Sequence, residues 1–137
     1  MADYFNHGIA PLQKHFDLKS QDLFHSLGQM LGQNVAQKYN DFDLRETLQD
    51  LSRLWEELRI GRLVIEGENP LELVIYDCTI CGRLPGSGGM YDCAFHEGFF
   101  ESVISARLDR KVGLKQVTNF EGNAGTWCRR YISDTRL

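Results

Sequence analysis

No apolar stretch in this 137-residue sequence approaches the roughly 20 residues needed to cross a bilayer, so a membrane-spanning helix is not expected. Proline is scarce, with 3 residues, and no charge run, low-complexity tract or internal repeat divides the chain. The first 16 residues lack a basic segment followed by an apolar one, so no secretory signal is read and a cytoplasmic setting is expected. What is present fits one globular domain: 42% apolar residues, 25% charged residues and a net charge of −4 exclude a disordered or collagen-like chain. The charge is uneven. Residues 1–106 hold 8 Lys/Arg against 16 Asp/Glu, and residues 107–137 hold 7 against 3. A modest basic end on an acidic protein reads as a solvated face before it reads as a nucleic-acid surface.

Residues 1–19 carry scattered apolar positions without a sustained period and read as an N-terminal arm; residues 20–137 read as a single domain. From Ser20, apolar residues recur every three or four positions through Ala36, which predicts a helix ending near Asn40. Asp43-Leu-Arg-Glu46 has the spacing of a capping box, and Leu44, Leu48, Leu51, Leu54, Trp55 and Leu58 form the stripe of a second helix. Gly61 is placed as its left-handed terminator, and Arg62–Glu66 and Leu71–Asp77 are expected as a hairpin that delivers Cys78. After a glycine-rich loop, Gly82 to Asp92, a third helix is expected from about Ala94, with strands at Val112–Phe120 and Thr126–Ile132. The order ααββαββ predicts an α+β domain with an antiparallel sheet.

Four cysteines in a reducing compartment point to metal binding or redox chemistry before a disulfide framework. Cys78-x2-Cys81, eleven intervening residues, then Cys93-x2-His96, with Cys128 remaining, is the spacing of a structural zinc site: two thiolates bite one ion from a tight turn and a second pair completes a tetrahedron. Five candidates compete for four positions. Cys78, Cys81, Cys93 and Cys128 are favoured, with His96 as the alternative fourth ligand. A thioredoxin-like centre needs a helix starting at the Cys-x2-Cys, but Cys81 is followed by Gly-Arg-Leu-Pro-Gly-Ser-Gly-Gly. A zinc deaminase needs His-x-Glu upstream of its paired cysteines, whereas His96-Glu97 is contiguous and downstream. A closed four-ligand zinc leaves no position for water or substrate, Gly86-Ser-Gly-Gly89 lacks the Lys-Ser/Thr of a phosphate loop, and Glu97 reads as a charge in the first turn of its helix. No catalytic residue is assigned.

Cys93-Ala-Phe-His-Glu-Gly98-Phe-Phe, a helix ending near Leu108, Lys111-Val112, Glu121 and Gly125-Thr-Trp-Cys128 resemble the vinyl-4-reductase-type domain, the predicted hydrocarbon-binding family of archaea and bacteria. Gly28-x3-Gly32 and the stretch from Trp55 to Gly61-Arg-Leu-Val are similar to its N-terminal half, so the resemblance covers roughly residues 20–133. It implies the α+β ligand-binding fold found in nitric-oxide-signalling and Golgi-transport proteins, a homodimer, a hydrophobic pocket and a cysteine-bound metal. Cys93 and Cys128 correspond to the family's cysteines, and Cys78 and Cys81 to the pair seen in some members. The chain departs from the pattern at Phe120, Glu121 and Gly122, where many members have a further cysteine.

The family's name records an association with chlorophyll-precursor reduction, but this chain has no readable nicotinamide or flavin motif, so a sensor or carrier of a small hydrophobic molecule is expected. Its pocket would be lined by Trp55, Phe95, Phe99 and Val103, although aromatic residues at helical spacing more often form plain core. The other expectation is an assembly adaptor with structural zinc and no ligand. Self-complementary burial of the apolar positions of residues 1–40 would make the dimer.

Overall fold

In the computed structural model, which describes residues 20–78, 90–121 and 127–137, Ser20–Gln37 forms helix α1 and Leu44–Glu57 forms α2. The arm at residues 1–19 and the stretch containing Cys81 lie outside the described residues. The Asp43 carboxylate accepts the Glu46 amide at 2.8 Å while Glu46 reaches back to the Asp43 amide, the reciprocal cap that the spacing predicts. Asp43→Ala should therefore lower the unfolding free energy by about 1 kcal/mol, read from the urea midpoint at constant slope, with Asp43→Asn losing less.

The end of α2 differs from the expectation. Arg59, not Gly61, takes the left-handed conformation, with φ 57°. Ile60 donates its amide to the Trp55 carbonyl at 2.9 Å and Arg59 donates to Glu56 at 3.0 Å, so the helix closes in the paired bonds of a Schellman turn two residues before the glycine. Gly61 answers a different need: a Cβ there would stand 2.9 Å from the Tyr76 carbonyl, where the chain enters the sheet.

The strands are β1 (Arg62–Glu68), β2 (Leu71–Cys78), β3 (Leu114–Glu121) and β4 (Trp127–Ser133), with α3 (Met90–Leu108) between the hairpins. Sheet order is β1-β2-β4-β3 and every neighbouring pair is antiparallel, so the fold is α+β, with three helices and one four-stranded sheet among the described residues. The core-facing positions of the sheet, Leu63, Leu71, Leu73, Ile75 and Tyr131, meet Leu48, Leu51 and Trp55 of α2 and Phe99, Phe100, Val103 and Ile104 of α3. Ser52 ties α2 to β1 by donating to the Leu63 carbonyl at 2.6 Å.

Helix α3 begins at Met90, four residues earlier than the apolar period suggests, because Met-Tyr-Asp-Cys joins its first turn. It is apolar around most of its circumference, since it packs on α1 on one side and on the core on the other. Its contact with α1 is unusually close. A Cβ on Gly28 would fall well inside 3.0 Å of the Phe95 carbonyl, and one on Gly98 equally close to the His25 carbonyl. Gly28-x3-Gly32 thus serves a backbone-to-backbone helix crossing.

Candidate functional site

Strand β2 ends at Cys78, whose register partner on β4 is Trp127, one residue before Cys128. The pairing slips between Ile75 and Cys78, where Asp77 adopts a left-handed φ of 51°; such a bulge re-aims the side chains around it. Both cysteines are buried thiols, Cys78 in the helix-facing core. The Asp77 amide donates to the Cys128 sulfur at 3.4 Å, a contact that orients the sulfur. Cys93 lies in the opening turn of α3. The sheet brings Cys78 and Cys128 onto neighbouring strands at one end, but Cys78 pairs with Trp127, so the alternation of β4 turns Cys128 to the face opposite Cys78; Cys81 and the side chain of Cys93 lie outside the described residues.

Trp55, which belongs to the same core as Cys78, is half of a buried polar pair. Trp55 donates its indole N–H to Nε2 of His96 at 3.3 Å, and His96 is 0% exposed. An indole can only donate, so Nε2 accepts and the imidazole is neutral with its proton on Nδ1. The lone pair that a metal would need on Nε2 is occupied by the indole, and Nδ1 carries the proton. Aromatic rings surround the pair: Trp55 and Phe99 have centroids 5.0 Å apart, Phe99 and Phe100 meet edge to face at 5.0 Å, and Phe95 stands edge-on to His96 at 5.6 Å. Trp55, Phe99 and Val103 are buried in the main core, whereas half-buried Phe95 turns toward Leu23 and Phe24 of α1. Of the four residues expected to line a pocket, three share one core, and Phe95 meets them through its ring stacked on Phe99 at 6.4 Å.

A second constellation sits where α1 crosses α3. His25 Nε2 lies 3.2 Å from Glu101 Oε2 and 3.9 Å from Glu97 Oε1, and all three side chains are half-buried. Glu101's other oxygen accepts the Leu114 amide at 3.1 Å, which ties the carboxylate to the start of β3. Burial pushes the Glu97 carboxyl up from the usual carboxylate range, the neighbouring Glu101 charge adds to that, and His25 opposes it. Among the described residues, this trio is the group of His, Cys, Asp and Glu donors close enough together to hold one metal ion. Glu101 also lines a cleft of about 490 Å³ whose walls include Gln29, Gln33, Ser102, Arg110 and Lys111.

No protein-family model matches the chain. A curated protein of Methanocaldococcus jannaschii, described as uncharacterized, is 29% identical over 100 residues, which make up 73% of this chain and 56% of that protein. The chain spans about half the length of the curated relative it matches.

The longer α3 changes how two residues are understood. His96 and Glu97 lie beyond the first turn, so Glu97 gains little from the helix N-terminus and instead faces His25. His25 and Glu101 were not singled out by sequence reasoning. The i,i+4 spacing of Glu97 and Glu101 is visible in the sequence, but His25 joins them only through a crossing for which the glycines Gly28, Gly32 and Gly98 are the sole local signal.

Proposed function

We propose that this chain is a zinc-bearing, cytoplasmic, homodimeric module that binds a small hydrophobic molecule, of the vinyl-4-reductase type that its motifs resemble. The observation that carries the reading is the Trp55–His96 pair inside a nest of aromatic rings. Small-molecule sites combine apolar and aromatic walls with very few placed polar groups, and the buried indole–imidazole pair among the rings has that composition. The neighbouring strand ends support the metal: Cys78 and Cys128 come to one end of the sheet, and an amide is already directed at one sulfur. With His96 bonded to the indole, Cys78, Cys81, Cys93 and Cys128 are the better zinc set. A dimer is supported by the outer face of α1, where Met30 is 60% and Leu31 44% exposed. Among the described residues no helix is long and apolar enough to cross a membrane.

Native mass spectrometry of protein purified from its own host tests the reading. The expected species has about twice the 15.7 kDa chain mass, two zinc ions and a retained organic adduct. The close packing of Trp55, Phe99 and Phe100 favours a second reading, an assembly adaptor with structural zinc, which predicts the zinc-loaded dimer without an adduct. A bare monomer contradicts both.

A further inference from the structure

We propose that His25, Glu97 and Glu101 form a second metal site, separate from the cysteines, that takes a divalent cation of the manganese or ferrous type through one imidazole nitrogen and two carboxylates. The donor set decides the class of ion. Carboxylate and imidazole ligands suit such cations, whereas thiolates select zinc, so the two sites divide metals by ligand chemistry.

Geometry supports a site rather than a simple ion pair. Adjacent donors about 2.1 Å from a shared ion lie about 3 Å apart. His25 Nε2 already stands 3.2 Å and 3.9 Å from the two carboxylates, and all the donor atoms lie within 4.8 Å of one another, so side-chain rotation alone would close the set. The backbones that carry them are fixed, because the Gly98 position admits no side chain against the His25 carbonyl. Glu101 is held by the Leu114 amide through the oxygen that does not face His25, the outer-shell bond that orients a ligating carboxylate.

Charge points the same way. Among the described residues, the ion pairs of both glutamates go to His25, so even a protonated imidazole leaves one negative charge over in a half-buried site. A divalent cation with a neutral imidazole balances it. Of the three ligands Glu101 also lines the neighbouring cleft, with Gln29, Gln33 and Ser102, which leaves space for water beside the ion. An ion with three protein ligands and open positions is of the kind that can bind a further oxygen ligand.

Manganese is the probe of choice, because it competes poorly for thiolates and is seen directly by electron paramagnetic resonance. Zinc-loaded full-length protein titrated with Mn²⁺ should bind one ion per chain, and Glu97→Gln, which leaves the Leu114 contact in place, should weaken binding at least about tenfold, with zinc content and melting unchanged. His25→Ala should weaken it similarly. No saturable Mn²⁺ signal up to millimolar concentration, or equal binding by wild type and Glu97→Gln, would overturn the proposal.

Discussion

Gly28→Ala and Gly98→Ala should each destabilise the protein by about 3 kcal/mol or more, a larger loss than any surface substitution will produce. Each added methyl group meets a backbone carbonyl of the opposite helix rather than a yielding side chain, Phe95 for one and His25 for the other. The helices must separate, and α3 cannot retreat because its other side holds Phe99, Phe100, Val103 and Ile104 in the core. Gly113→Ala is the control: the nearest atom to its Cβ would be an Asp134 oxygen at 3.5 Å, so its effect should stay within about 1 kcal/mol and can be stabilising through the unfolded chain. Chemical denaturation of the three variants tests the contrast. Equal effects at Gly28 and Gly113 would mean that the crossing is looser than described.

Under the proposed cysteine zinc site, metal removal should have the other large effect. A site absent from the unfolded chain makes metal binding part of the folding free energy, so a strong chelator should lower stability by about 3 kcal/mol or more. Cys78→Ser and Cys128→Ser should lose the metal and be equally destabilised, and the chelator should then do nothing further to either variant. That non-additivity distinguishes ligands from buried apolar cysteines, whose replacement would leave the chelator's effect intact. Stability is the wrong measure for His96. Its removal strands the Trp55 indole N–H in the core and costs about 1–3 kcal/mol whether or not the ring touches metal, so zinc content must be compared instead.

Much of the architecture was legible because it is written in local terms. The capping box at Asp43 and Glu46, the apolar stripe of α2 and the two β-rich pairs each state their structure within a few residues, and their order implies the antiparallel sheet. Boundaries fared less well where one residue type carries two meanings. Gly61 looked like a helix terminator, but the left-handed turn belongs to Arg59 and the glycine serves the approach to Tyr76. The start of α3 was hidden because Met90 to Cys93 adjoins a glycine-rich stretch.

The sites were legible only in part. Cys78 and Cys128 are 50 residues apart in sequence, and the β2–β4 pairing that brings their strand ends together is not specified by the Cys-x2-Cys spacing. The helical spacing of Phe95, Phe99 and Val103 was visible, yet the Trp55–His96 bond joins two helices and no single period reports it. His25 is the clearest case. A lone histidine on an amphipathic helix carries no signal until a second helix brings Glu97 and Glu101 against it.

X-ray absorption at the zinc edge of protein purified without added metal tests most directly whether the cysteine end of the sheet is a metal centre. Four sulfurs at about 2.3 Å are predicted, with no imidazole in the shell. Protein without zinc, or zinc with only nitrogen and oxygen neighbours at about 2.0–2.2 Å, would contradict the account.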